Sequence, residues 1–393
     1  MARFRLGFNY WPRSSAMQMW RRFDRGRIAG DFAHAAALGF DCVRFFLMWD
    51  AFAPQAASID PLMLERLTEV ADAAHAAGLA AMPTLFCGHM SGVNWLPSWT
   101  LDPGSHSGRF RTITERGESD LGIGDFYADA ALVAAQRRFA RAAGSALRGH
   151  PALWAWDLGN EFSNVREPAS AHDASRWSAT LAADLAETSG AAVTAGTHGE
   201  DLTFDRKLRL SSLAAPLTFA TMHGYSVYSA FARDRLDPNA VPFLYDLARA
   251  FSRRPVFFSE FGNPALPPGA DPHATGLPFA SLNDDEMAAY ARGVITRLQA
   301  RGATGAMWWC WTDYDERLAS EPPFDLAPHE LRFGLLRSDG SEKPVARALA
   351  SFARENPKVA KDTAAMSIDE NAYYRGLPDS TTRAYARYCE ATP

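Results

Sequence analysis

Two glutamates each stand directly after an apolar run. The first run reads Leu153-Trp-Ala-Trp-Asp-Leu-Gly-Asn160-Glu161, and the second reads Pro255-Val-Phe-Phe-Ser-Glu260-Phe-Gly262. A carboxylate in such a place is costly to bury unless some function needs it there. Two carboxyl groups facing one pocket can cleave a glycosidic bond. One protonates the leaving oxygen while the other attacks the anomeric carbon, and retention of configuration calls for a separation of about 5–5.5 Å.

The elements that would carry such a pair follow from the hydrophobic pattern. Short apolar runs recur at Phe4–Tyr10, Asp41–Leu47, Leu79–Phe86, Leu153–Leu158, Ala192–Thr197, Thr218–His223, Pro255–Glu260 and Gly305–Trp311, with Ala-rich helical segments between them. In the segment 61–77, Leu62, Leu64, Leu67, Val70 and Ala74 recur near one helical face, and Gly78 stops the helix before the next strand. Strand-then-helix alternation repeated eight times predicts parallel strands with crossovers. Eight is the number that closes a (β/α)8 TIM barrel, an α/β fold. A doubly wound sheet is the alternative, and it seldom needs eight such units. The barrel is expected to occupy residues 1–355 as one domain.

Barrel enzymes carry their chemistry on the loops after the strands. Three of these are long: roughly Gly88–Tyr127 after the third strand, Asn263–Asn283 after the seventh and Asp313–Leu336 after the eighth. Loops of that length usually act as lids or binding walls. Residues 356–393 fit no ninth unit and include a helical pattern at Ser380–Ala391. This extension would pack on the barrel, across its bottom, or on a partner chain as a homo-oligomer contact.

Composition narrows the function further. The chain has 393 residues, of which 47% are apolar and 22% charged, enough for a large core and too apolar for disorder. A net charge of −5 disfavours nucleic acid as a partner. Cys42, Cys87, Cys310 and Cys389 show no metal-type spacing, and the first three sit in strand-like runs as small buried hydrophobes. The chain starts straight into a strand with no apolar leader, and it has no run of about 18 apolar residues. The expectation is a soluble, cytoplasmic protein with no membrane partner. No step of the chemistry calls for a metal or a cofactor. A metal-dependent barrel of the amidohydrolase type would want a His-x-His near the first strand, and none is there.

With these residues in view, the chain resembles family 5 of the glycoside hydrolases and the larger retaining clan around it. Trp-Asp-Leu-Gly-Asn160-Glu161 followed by Phe-Phe-Ser-Glu260-Phe-Gly carries the likeness, which covers residues 4–350. The family keeps its acid/base on the fourth strand after an Asn and its nucleophile on the seventh. The resemblance therefore implies Glu161 as general acid/base and Glu260 as nucleophile. It also implies Arg44 in Cys-Val-Arg44-Phe-Phe, His89 in Cys-Gly-His, the pair His223-Gly-Tyr225 and the closing Trp311 as substrate-binding residues. The long third loop and the tail after about Asn356 depart from the family pattern.

Roles follow from chemistry once the residues are placed. Arg44 beside Glu260 would favour its ionised form, and Tyr225 could donate to the same carboxylate. Glu161 must hold its proton until it acts, which asks for a drier setting. Asn160 is placed to reach the sugar 2-OH, and Trp311 offers a flat apolar face to the ring, with Trp309 one pleat deeper. Trp95 and Trp99 read equally as ligand-stacking walls or as the core of their own loop. Trp20, Trp177 and Tyr245 read as packing, and Glu200 and Asp201 as a solvated loop end.

The opening Gly7-Phe-Asn-Tyr-Trp-Pro12 and the Trp-Arg-Arg-Phe-Asp stretch after it are similar to exo-β-mannosidase members of the family. That likeness implies an exo-acting β-D-mannosidase on short β-mannosides or manno-oligosaccharides, including mannose β-1,4-linked to N-acetylglucosamine. An endo-β-1,4-mannanase or β-glucanase with an open cleft is the enzymatic alternative. A carbohydrate-binding barrel without activity is the third reading, which the presence of both glutamates opposes.

Overall fold

The computed structural model describes residues 2–267, 269–273, 281–361 and 365–391. Eight strands form a closed, parallel barrel: β1 (Arg5–Tyr10), β2 (Cys42–Met48), β3 (Ala80–Cys87), β4 (Ala155–Asn160), β5 (Ala192–His198), β6 (Ala220–His223), β7 (Val256–Phe261) and β8 (Gly305–Trp308). Each strand pairs with its neighbours in sequence, and β8 closes on β1. The strands are buried along nearly their whole length, which is why they read as continuous apolar runs rather than alternating ones. A layer of Cys42, Met82, Ala155, Phe219, Phe257 and Met307 plugs the barrel near the strand starts.

The helices between strands are set by their ends and one apolar face. Helix α1 (Arg25–Ala37) is capped by Asp24, and α2 (Pro61–Ala76) starts with Asp60 accepting from the Leu62 N–H and Pro61 in the first turn. The buried face of α2 is Met63, Leu67, Val70, Ala71 and Ala74, whereas Leu62 is exposed. The expected face was therefore one residue out of phase at its start. Met63 follows the spacing i, i+4, i+7, i+8 that Leu62 breaks. Helices α3 (Ala130–Ala146) and α4 (Ala171–Ser189) carry caps at Asp129 and Ser170, and α4 ends on Gly190 in the left-handed conformation. The short α5 (Gly199–Thr203) follows β5 directly. It is followed by α6 (Ala240–Ser252), α7 (Asp284–Ala300) and α8 (Pro344–Arg354).

The strand-eight expectation also needs shortening. β8 ends at Trp308, so Trp309 to Trp311 belong to the loop, and period-two reasoning does not extend to them. The loop after β3 folds into small sheets of its own, one built from His89–Met90, Val93–Trp95, Arg111–Thr114 and Gly117–Ser119. Of the expected loop Asn263–Asn283, residues 268 and 274–280 lie outside the described residues. Among the described residues, no helix is long and apolar enough to cross a membrane.

The tail crosses one end of the barrel and then climbs its side. The Val359 N–H donates to the Ala2 carbonyl and the Phe4 N–H to that of Pro357, beside the start of β1. Two further helices, α9 (Glu370–Arg375) and α10 (Asp379–Ala391), then pack on α6 through Tyr373 against Phe251 and Tyr385 against Phe243. At the opposite end of the barrel, the Tyr374 hydroxyl donates to the Asp201 carbonyl and the Tyr385 hydroxyl to Asp237 Oδ2.

Candidate active site

The barrel register brings the functional side chains to one height. His198 pairs with His223, His223 with Glu260, and Asn160 with Gly196, all at the strands' carboxyl ends. His198, His223, Glu260 and Asn160 line a cavity of about 690 Å³ that opens at this end of the barrel. Glu161 sits one residue beyond β4 in the left-handed region (φ 46°, ψ 43°), a conformation a non-glycine residue adopts at a cost and one that recurs at functional sites. Its backbone N–H donates to the Gly196 carbonyl at 2.9 Å. Gly196 has no room for a side chain, because a Cβ there would lie 2.2 Å from the Gly159 carbonyl and 3.1 Å from the Arg44 guanidinium.

Arg44 is fully buried, and all five of its N–H donors are used. They go to Asp157 Oδ2 twice, at 2.9 and 2.6 Å, to Asn160 Oδ1 at 2.8 Å, to Asn9 Oδ1 at 3.1 Å and to Glu260 Oε1. Thr84 adds a further donor to Asp157 Oδ2. On the other side of Glu260, the Tyr225 hydroxyl donates to Oε2 at 2.6 Å. Burial pushes the Glu260 carboxyl up from its ordinary value, while Arg44 and Tyr225 hold it back.

Glu161 has a different setting. Burial first and the charge of Glu260 second push its pKa well above the ordinary carboxylate value, with Glu200 and Asp201 adding to the rise. Its only charged counterweight of note is the more distant Arg44. Three imidazoles face it: His223 Nδ1 at 3.1 Å from Oε1, and His198 Nδ1 and His89 Nε2 at 3.7 and 3.9 Å from Oε2. Burial lowers the pKa of all three, that of His89 to about 3, so these rings face Glu161 neutral. The two carboxyl groups are thus pulled apart in acidity, the condition under which one keeps a proton while the other is charged.

Among the described residues, Glu161, His223 and Glu260 form the one histidine–carboxylate cluster with cation-sized spacing; one ligand-type atom from each lies within 4.8 Å of the others. The same figure bounds the approach of the two carboxylates, well short of the roughly 6.5–9.5 Å that an inverting pair needs to admit a water.

No family model and no curated relative matches the sequence. Solved structures do. A GH5_18 variant from Streptomyces cattleya in complex with Manβ1-4GlcNAc superposes with TM-score 0.78 at 23% identity, over 98% of this chain and 90% of that one. A GH5_18 structure from Bifidobacterium longum subsp. infantis gives TM-score 0.75 at 24% identity, covering 94% and 84% of the two chains. An exo-β-1,4-mannosidase from Opitutaceae bacterium strain TAV5 gives TM-score 0.74 at 27% identity, over 90% of this chain and 60% of that chain. The chain resembles glycoside hydrolase family 5. Its exo-β-mannosidase-like members are among the structural neighbours.

Within this barrel, Glu161, Glu260, His89, Asn160, His223 and Tyr225 are brought together around one cavity, with Arg44 buried beneath Glu260 and Asn160. Asn160 is less free than the sequence suggested: its Oδ1 accepts from Arg44, and its Nδ2 donates to the His89 carbonyl at 2.8 Å. Trp311 is not at the cavity. It is buried against Phe8 and His34, and Trp309 provides the aromatic wall instead, because the strand ends before either residue. Trp95 and Trp99 also lie away from the cavity. Trp95 is buried in its own loop, and the Trp99 indole donates to the Ala53 carbonyl and stands edge-on to Trp49.

Other residues line the cavity without a clear sequence signal. Phe110 comes from the third loop, Glu200 and Phe204 from the fifth, Tyr228 from the sixth, His329 and Glu330 from the eighth, and Thr381 from the tail. Glu200 is held by Arg109 at 2.7 Å and lines the cavity, while Asp201 is buried, so neither is a solvated loop end. Glu200 and Asp201 sit two and three residues past His198, just after a strand, which is the only cue the sequence offered.

Proposed function

We propose that this chain is a retaining, exo-acting β-D-mannosidase that removes mannose from short β-mannosides. In this reading Glu260 attacks the anomeric carbon as Glu161 delivers its proton to the leaving oxygen, and Glu161 then activates a water to release the sugar. Arg44 keeps the nucleophile ionised and aimed. Tyr225 gives up its bond to Glu260 as the carboxylate oxygen bonds to the sugar. Trp309 supplies an apolar face to the ring being cleaved. The approach of the two carboxyl groups supports retention.

One observation carries the exo reading: the loops close over one side of the cavity. Glu330 from the loop after β8 accepts from Ser91 of the third loop at 2.9 Å and from Tyr228 of the sixth at 3.2 Å. An Arg111–Asp325 ion pair ties the third and eighth loops a second time. Strands β1 and β2 lie between β3 and β8 on the barrel rim, so these ties bridge that side. The cavity is left to receive the rest of the substrate from the side of Phe204, Thr381 and Glu200. A substrate with mannose β-1,4-linked to N-acetylglucosamine suits a site of this kind, and the relative from Streptomyces cattleya holds Manβ1-4GlcNAc.

The test is product analysis. Manno-oligosaccharides and Manβ1-4GlcNAc should release mannose stepwise from the non-reducing end, with β-mannose as the first product by NMR. Cleavage of mannan into mixed oligomers without early mannose would mean an endo-acting enzyme. Equal rates of aryl β-mannoside hydrolysis by wild type and Glu260→Ala would remove the catalytic assignment altogether.

A further inference from the structure

We propose that His198 is a positioning residue for the acid/base Glu161, locked by Ser163 and Asp201 in the tautomer that turns a bare nitrogen lone pair toward the Glu161 carboxyl. This rests on the reading of Glu161 as the proton donor.

The assignment follows from counting protons. Ser163, His198 and Asp201 are all buried. The Ser163 hydroxyl has one proton and donates it to Asp201 Oδ1 at 2.6 Å. Its lone pair therefore faces His198 Nε2, 3.0 Å away, so the ring proton sits on Nε2. The other Asp201 oxygen, Oδ2, accepts from the His198 backbone N–H at 3.0 Å, which holds the carboxylate in place. Nδ1 is left without a proton, 3.7 Å from Glu161 Oε2, and the Asp201 backbone N–H of the capping box also faces the His198 ring. That distance exceeds a hydrogen bond, and contacts to a catalytic acid often tighten only when substrate binds.

A second ring is fixed in the same sense. Asn94 Nδ2 donates to the Asn164 carbonyl at 3.2 Å, so its Oδ1 accepts from His89 Nδ1 at 2.9 Å. The His89 Nε2 is then bare toward the same Glu161 oxygen. His223, whose Nε2 has no partner, is left to donate from Nδ1 to Glu161 Oε1. The three rings thus mark Oε1 as the main accepting oxygen and Oε2 as the protonated one, which also takes a long bond from Asn164 Nδ2 at 3.3 Å. An acceptor beside the neutral acid favours its protonated form.

The groups around Glu161 are His89 from the third loop, Asn164 just past β4, His198, Glu200 and Asp201 from β5 and α5, His223, Tyr225 and Tyr228 from the end of β6 and the loop after it, Glu260 from β7 and Arg44 from β2. Arg109 and Arg206 also face His198. The extension enters through Tyr374, whose hydroxyl donates to the Asp201 carbonyl at 2.8 Å. The residue that sets the His198 tautomer is therefore braced by the tail.

The experiment pairs a direct view of the tautomer with kinetics. Nitrogen-15 histidine spectra of the wild type, with His198 assigned by comparison with His198→Gln, should show the proton on Nε2. In Asp201→Asn, the His198 backbone N–H keeps the amide oxygen at the Oδ2 position, so the amide NH2 donates to Ser163. The Ser163 proton then turns to Nε2, the ring proton moves to Nδ1, and a donor now faces Glu161. The basic limb of the kcat/KM–pH profile should fall by about one pH unit in both His198→Gln and Asp201→Asn, with the acid limb unmoved. His198→Gln changes no charge, so a merely structural loss would lower kcat/KM at every pH without moving the limb. A wild-type ring protonated on Nδ1, or a basic limb that stays in place in His198→Gln, overturns the proposal. A basic limb that persists unchanged in Glu161→Gln would instead sink the acid/base assignment, whatever the tautomer.

Discussion

Replacing Arg44 by Met is the perturbation with the widest consequences. The methionine keeps most of the stem and removes all five donors. Asp157, fully buried, is left with only the Thr84 hydroxyl, and Glu260 with Tyr225 and the His223 ring 3.5 Å away. Removing one partner of a buried ion pair costs about 3–5 kcal/mol, a large share of the roughly 5–15 kcal/mol that holds a domain together. The catalytic effect has a definite sign. Arg44 lowers the Glu260 pKa, and Glu260 must be ionised to attack, so without Arg44 the acid limb of kcat/KM moves up. An arginine a few ångströms from a carboxylate is worth about 1–3 pH units, or about 1.4–4 kcal/mol. Activity should therefore fall steeply at low pH and recover in part as pH rises. Arg44→Lys keeps a charge but cannot reach four partners at once, so its limb should move less while its stability still drops. The assays are the pH dependence of aryl β-mannoside hydrolysis and denaturant unfolding. An acid limb that stays put, with a stability loss below about 1 kcal/mol, would refute the role given to Arg44.

Four further outcomes can be checked. Glu161→Gln should cost about 10²–10⁴-fold in kcat on substrates with poor leaving groups. The same variant should melt higher than wild type once pH rises above the ordinary carboxylate value of 4.5, because a raised folded pKa makes ionisation of Glu161 destabilising over that window, whereas below it the acid is neutral in both states; equal melting curves from pH 4 to 8 would contradict this. Trp309→Ala should lose about 1.5–3 kcal/mol of substrate contact, roughly 10–150-fold in kcat/KM, on top of the stability lost with its packing on Phe46, while Trp311→Ala should cost about 3–5 kcal/mol of stability with kcat/KM of the folded enzyme little changed. The reverse pattern in kinetics and melting would restore the sequence-based choice of Trp311. Gly196→Ala forces the Gly159 carbonyl and Arg44 to move, so it should destabilise by about 1–3 kcal/mol and shift the acid limb upward as Arg44→Met does; an unshifted profile would separate Gly196 from the Arg44 network.

The sequence by itself determined the barrel, because eight apolar runs with helical segments between them leave few ways to bury both faces of a parallel sheet. It also determined which ends carry chemistry, since Glu161 and Glu260 each follow an apolar run and His223 and Tyr225 sit where strand six ends, whereas Arg44 is the third residue of strand two and reaches the site by its length. Tertiary structure alone decided what lies between those ends. Trp309 rather than Trp311 reached the cavity because β8 stops at Trp308, a boundary that hydrophobicity does not mark among three tryptophans and a cysteine. Trp95 and Trp99 turned away because the third loop built small sheets with a core of their own. Ser163 and Tyr374 carry no signal in the sequence and Asp201 reads there as a solvated loop end, yet the three meet around His198 through contacts of high sequence separation. Local pattern reports which face is buried and where an element ends. A proton's position is a property of several side chains at once, and only their assembly around the barrel rim sets it.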